Sequence, residues 1–394
     1  MSLLDDVYSR DSWEKFYSYK TSLSCPKKFA GSLRSYIDNE EYLKVPCDGS
    51  FALPKKSVIS KMSTQKKRTV YTYPYVNNVW LKLLTHLLLR RYDHLFCDCL
   101  YSFRPGVTAK DAVKRLVRTP GISSMYSYKV DISNYFNSID VSSLVPMVLE
   151  YLSDDPRLAS FLCSLLEEPY VIERGDPVIE QKGIMAGTPQ ASFFANLYLK
   201  ELDEWFCERD VIYARYSDDI IVFADSPEKI SEYVDVIKGF LSSHGLDVNP
   251  SKEVYTSPGE MWVFLGFCYH DGVVDIAPSS LTKIKGKMRR KTRALMRWQL
   301  RGGKTPESSA KAFIRIFNSK LFEASDDNDL TWSKWYFPVI NTTESLSVID
   351  HYAQDCIRYL LTGKRNKGRY KVEYEDMKAL GYKCLVNEYY KAGE

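Results

Sequence analysis

An α+β fold is the expectation for this chain: an antiparallel sheet with helices on one face, followed by a helical basic segment. Three observations predict it. Apolar, β-branched and aromatic runs at 125–132 and 212–223 are interleaved with runs of helical period at 191–206 and 226–245. Apolar residues make up 45% and charged residues 26% of 394 residues, which excludes wholesale disorder. After about Pro278 the composition changes, and 281–304 holds ten Lys or Arg and no acid. The expected domains are therefore 1–278 and 279–394.

The elements follow in order. Residues 1–60 carry few periodic signals. The stretch QKKRTVYTYPYV from Gln65 is a basic cluster followed by a strand that Pro74 ends. Asn78 can cap the next helix, whose face is Trp80, Leu84, Leu87 and Leu88. In LYSFRPGVTAKDAVKRLV, Pro105-Gly106 is a turn, Thr108 and Asp111 form a capping box, and Ala112, Val113, Leu116 and Val117 are the buried face. The strand at 125–132 leaves Asp131 near its end. The helix at 191–206 turns Ala195, Tyr198, Leu199, Leu202, Trp205 and Phe206 inward. Two apolar strands then flank Ser217-Asp218-Asp219 as a hairpin. Ser226-Pro227 starts a helix that Gly245 ends. Short strands are expected at 246–248 and 262–269.

The net charge is +4, from 54 basic and 50 acidic residues, so the placement of charge matters more than its total. Nine scattered cysteines give no disulfide framework and imply a reducing cytoplasm. Cys97 and Cys99 are close, but no second Cys or His pair follows at zinc spacing. The N-terminus lacks an apolar leader, and no apolar run reaches membrane-spanning length, so no membrane partner is expected.

The chemistry centres on carboxylates. Asp-Asp occurs at 5, 154, 218 and 326, and only the pair at 218 lies between two apolar strands. Adjacent carboxylates in such a place are costly unless a cation joins them, and Mg²⁺ is the hard cation that takes carboxylate and phosphate oxygens. Asp131 ends another strand 87 residues earlier. Pairing that strand with the hairpin would set Asp131 beside Asp218. Two Mg²⁺ ions about 3.5–4 Å apart could then clamp both oxygens of a phosphoryl displacement.

In these residues the chain resembles a prokaryotic reverse transcriptase, similar to group II intron enzymes and to the bacterial defence-associated reverse transcriptases, the compact type 2 systems among them. The resemblance covers 65–267 through six ordered motifs: LYSFRPGVTAKDAVKRL, YKVDISNYFNSID, GIMAGTPQASFFANLYLKELD, RYSDD, GLDVNPSKEVY and FLGF. It implies a right-hand polymerase of fingers and palm with an α-helical thumb. It implies metal ligation by Asp131, the Ile132 carbonyl, Asp218 and Asp219. Phe136 matches the gate against a ribose 2′-hydroxyl, Arg68 the triphosphate clamp, and Lys252 the lysine that protonates departing pyrophosphate. Phe264–Phe267 would support the primer end. Related enzymes read Pro-Gln-Gly where this chain has Met185-Ala186-Gly187. Ala186 thus replaces the Gln that contacts the nucleotide sugar, which puts nucleotide affinity and processivity in question.

The basic stretch offers Lys283, Lys285, Lys287, Arg289, Arg290, Lys291, Arg293 and Arg297 to phosphates. A second run at 363–371 adds five cations. The implied function is an RNA-directed DNA polymerase that extends a 3′-hydroxyl with dNTPs on a dedicated structured non-coding RNA, yielding cDNA in antiphage defence. Three alternatives stay open: a retron enzyme, an untemplated or protein-primed polymerase of the abortive-infection type, and a non-catalytic maturase-like RNA-binding protein. Template identity, priming and oligomeric state are not set by the sequence.

Overall fold

Strand alternation decides how the central sheet is built. Its order is Tyr213–Tyr216, Asp219–Ala224, Tyr126–Asp131, Val254–Thr256, all antiparallel. Successive side chains point to opposite faces. Tyr128 and Val130 therefore share one face with their cross-strand partners Val222 and Ile220, and all four are fully buried. Helices Lys200–Cys207 and Pro227–Ser243 pack against this sheet, with Phe206 stacked on Tyr213 at 4.4 Å. Ile230, Val234, Ile237 and Leu241 close the same core. The other face receives Lys129, Asp131, Tyr216 and Asp219.

The computed structural model describes residues 2–23, 25–47, 50–60, 67–180, 183–323, 331–364 and 371–393. Most of the second basic run, 363–371, lies outside them. The chain divides into two units, 1–112 with 124–258, and 113–123 with 259–394. The α+β class is as expected.

The first unit adds a second sheet, ordered Lys67–Thr72, Lys55–Ser60, Tyr170–Glu173, Asp176–Ile179. Three expected elements differ. The helix Tyr75–Arg91 starts directly after Pro74, whose extended backbone launches it. Asn78 sits inside the first turn, its N–H donating to Pro74 O at 2.8 Å, and caps nothing. The helix expected over 191–206 is two, Ala191–Tyr198 and Lys200–Cys207, broken where Leu199 leaves helical geometry at φ −107° and ψ 14°. The strand expected at 246–248 is a single bridge from Val248 to Ile132. Pro250 cannot extend a ladder and opens a short turn instead, and pairing resumes at Val254–Thr256.

The second unit begins with a three-stranded meander, Trp262–Phe264, Phe267–His270 and Val273–Ile276. Leu265 and Gly266 both have positive φ, 49° and 87°, the signature of a two-residue I′ turn. The long basic helix Pro278–Gly302 buries Ile284, Met288, Thr292 and Leu295. These are spaced three and four apart, as one face of a helix requires. Trp298, which follows the same stripe in sequence, is 42% exposed instead. Helices Pro306–Phe322 and Glu344–Thr362 pack with the basic helix. Asp350, on the last of these, accepts from the backbone N–H groups of Leu385 (2.9 Å) and Val386 (3.1 Å). It thereby caps the helix Leu385–Gly393 from a distance.

Candidate active site

The register decides which acids meet. In the central sheet Asp131 pairs with Asp219, and the Ile132 N–H donates to Asp218 O at 3.0 Å. Asp219 is thus the direct neighbour of Asp131, one residue later than the sequence suggests. The turn is the reason. Tyr216 and Asp219 form the last hairpin pair, which leaves Ser217 and Asp218 as a two-residue loop. Ser217 carries φ +60°, a conformation that costs a side-chain-bearing residue about 1 kcal/mol or more.

Buried polar partners hold that turn. The Ser217 N–H donates to Ser102 Oγ at 2.9 Å, and Ser102 Oγ donates to Asn196 Oδ1 at 3.0 Å. Arg215 points to the core face, is 0% exposed, and donates from Nη1 to Ser217 O at 3.2 Å. Its guanidinium meets Asp203 twice, Nε to Oδ1 at 2.8 Å and Nη2 to Oδ2 at 2.5 Å. Tyr213 donates to the same carboxylate at 3.0 Å. The segment 99–101 runs beside this strand, with Arg215 N–H to Cys99 O and Tyr101 N–H to Arg215 O both at 2.9 Å. Sequence reasoning missed Arg215, Asp203, Asn196 and Ser102. One signal was available, since a charged residue at a core-facing position of an apolar strand demands a buried partner.

The acids are electrostatically crowded. Burial, then Asp131 and Asp219, push the Asp218 carboxyl up to about 6. Burial raises Asp219 too, opposed by Lys129, whose Nζ lies 3.6 Å from Asp219 Oδ1. Asp131 is 6% exposed and accepts from Lys252 Nζ at 2.5 Å and from Asn249 Nδ2 at 3.5 Å. Among the described residues, Asp131, Asp218 and Asp219 do not bring oxygens all within 4.8 Å of one another. They meet as neighbouring strand ends rather than as a closed cage. Three carboxylates and a backbone carbonyl are nonetheless an all-oxygen donor set, which suits Mg²⁺.

The residues expected on the nucleotide side are linked through the backbone. Phe136 is half-buried against Tyr135, ring centroids 5.7 Å apart. Its carbonyl accepts from the Ile184 N–H at 2.8 Å. A Cβ on Gly183 would stand 2.0 Å from that carbonyl, so only glycine fits there. Further along the strip, Ala186 O accepts from the Tyr71 N–H at 2.9 Å. Gly187 has φ +105°, and a Cβ there would meet Tyr71 O at 3.0 Å. The strip 183–187 therefore links the Phe136 backbone to the strand Lys67–Thr72, on which Arg68 is exposed. Arg68 belongs to that second sheet and the carboxylates to the first. Of the basic-helix residues, Lys283, Lys287, Arg289, Arg290, Arg293 and Arg297 are exposed, while Lys285 and Lys291 are half-buried.

The sheet thus sets Asp131 beside Asp219 on one face, with Asp218 in the adjoining turn. The sequence profile of the reverse transcriptase (RNA-dependent DNA polymerase) family matches residues 53–269, and the chain belongs to that family. Among known proteins it is similar to the Retron Ec86 reverse transcriptase of Escherichia coli, 22% identical over 174 residues. That match covers 43% of this chain and 50% of the relative, so the chain spans about half the length of the curated relative. Two solved structures are also similar. Apo telomerase from Candida tropicalis, truncated from its C-terminal domain, has a TM-score of 0.47 at 12% identity, covering 62% of this chain and 59% of that one. Telomerase from Candida albicans with a fragment of telomeric RNA has a TM-score of 0.46 at 12% identity, covering 84% and 62%. No described helix is long and apolar enough to cross a membrane.

Proposed function

We propose that this chain is an RNA-directed DNA polymerase that adds dNTPs to a primer 3′-hydroxyl. The observation that carries the reading is the pairing of Asp131 with Asp219 and of Ile132 N–H with Asp218 O at 3.0 Å. Asp131, the Ile132 carbonyl, Asp218 and Asp219 would hold two Mg²⁺ ions. When bound, these supply charge neutralisation for an in-line phosphoryl transfer. The protein's own share is positioning. The Phe136 ring, its backbone fixed through Ile184, excludes a ribose 2′-hydroxyl. Arg68 forks onto the triphosphate. Lys252, already beside Asp131, gives a proton to the departing pyrophosphate. Ala186 offers only a methyl and a carbonyl where a Gln amide would reach the sugar, so sugar discrimination rests more heavily on Phe136.

The reading extends to a dedicated structured non-coding RNA template, a cDNA product and a role in cytoplasmic antiphage defence. Resemblance supports these rather than the site. A retron-type reading has the Escherichia coli relative in its favour. One experiment separates them: purify the protein from its host and sequence the bound RNA and new DNA. A defined unbranched cDNA copied from one RNA supports the proposal. A 2′-branched RNA–DNA molecule moves it to the retron class. Retention of the biological effect by Asp218→Ala with Asp219→Ala overturns the catalytic reading.

A further inference from the structure

Three thiols that the sequence scatters meet behind the Asp-Asp hairpin. The sulfurs of Cys97, Cys99 and Cys207 all lie within 4.8 Å of one another, and they are the group of that kind among the described residues. Cys207 follows Cys99 by 108 residues, so no local spacing announces it. We propose that these three cysteines form a site for a soft divalent cation, Zn²⁺ in the cell, unconnected with the Mg²⁺ chemistry of the acids.

The donor set selects the metal. Thiolates favour zinc and disfavour magnesium, which takes oxygen. Tetrahedral Zn–S bonds of about 2.3 Å place sulfurs ~3.8 Å apart, so the cluster needs only a small contraction. The backbone that carries it is pinned. Arg104 Nη1 donates to Cys97 O at 2.7 Å, Leu100 N–H to the same carbonyl at 3.0 Å, and Arg215 N–H to Cys99 O at 2.9 Å. Cys207 is the last residue of helix Lys200–Cys207. Cys99 is buried while Cys97 and Cys207 are half-buried, so an ion could approach from their side. A bound cation would displace the three thiol protons to solvent. The ion would staple the 97–99 loop to the helix that bears Asp203, the partner of Arg215 beneath the catalytic turn. It would stabilise the hairpin without touching substrate.

The test is a Cd²⁺ titration of the reduced, chelator-stripped full chain, read by the thiolate-to-cadmium ultraviolet band. The expected result is saturation at about one ion per chain, with release of protons and a rise in Tm on adding Zn²⁺. Cys207→Ser and Cys97→Ser should each weaken binding at least ~10-fold, while Cys47→Ser leaves it unchanged. If neither serine variant folds, the cadmium NMR position of the wild-type chain reports the number of thiolate ligands, and three supports the site. Absence of the band at stoichiometric Cd²⁺, a band undiminished in folded Cys97→Ser and Cys207→Ser chains, a cadmium signal of fewer than three sulfurs, or a native disulfide among these cysteines overturns it.

Discussion

Asp218 is ionised at neutral pH only against the preference of its surroundings. Burial and the neighbouring Asp131 and Asp219 lift its carboxyl from 3.8 to about 6, so between those values the folded state holds more protons than the unfolded one. Stability from this group therefore falls as pH rises through that window and stays lowered above it. In the chelated protein Asp218→Asn should raise Tm at neutral pH, and the gain should vanish below about pH 4; a Tm-against-pH series checks both. The same proton competes with metal, so Mg²⁺ affinity should weaken as pH drops through about 6. Phe136→Ala should increase rNTP incorporation relative to dNTP, measured by competition between labelled nucleotides; unchanged sugar selectivity would remove Phe136 from the gate. Gly183→Ala reaches the same selectivity indirectly, because its Cβ would lie 2.0 Å from Phe136 O and the backbone under the ring must shift.

The hairpin Tyr213–Tyr216 with Asp219–Ala224 shows how far an element can be read before its partners are known. The two apolar runs in VIYARYSDDIIVFAD are enough for two strands and a turn, read over Ser217-Asp218-Asp219. The strand at Tyr126–Asp131 was legible for the same reason. Register was not, because a one-residue difference in turn length decides whether Asp218 or Asp219 faces Asp131. The Arg215–Asp203 pair was hidden too. It joins residues 12 apart on a strand and a helix, and the helix had read as unbroken through Leu199. Removing one partner leaves the other charge buried and alone, which costs about 3–5 kcal/mol. Asp203→Ala should therefore lower Tm by many degrees and abolish activity with Asp131, Asp218 and Asp219 intact; a small Tm change would show that water replaces the carboxylate.

Across the whole chain, the proposed function rests on two kinds of charge: acids on the central sheet and cations along Pro278–Gly302. The cationic helix was legible as ten basic residues without an acid in 281–304. The structure adds its buried face, Ile284, Met288, Thr292 and Leu295, beyond which Trp298 and Leu300 are exposed. Arg289→Glu with Arg293→Glu should weaken RNA binding and make log K less steep in log salt, by about 0.7–0.9 for each phosphate left without its cation. Binding assays at several salt concentrations measure that slope. The central claim is that Asp131, Asp218 and Asp219 together run templated DNA synthesis. Incorporation of labelled dNTPs on a primed RNA, with Mg²⁺ present or chelated, tests it most directly. The account predicts template-complementary DNA from the wild-type chain, none with chelator, and none from Asp131→Ala or from Asp218→Ala with Asp219→Ala. Undiminished synthesis by those folded variants would contradict it.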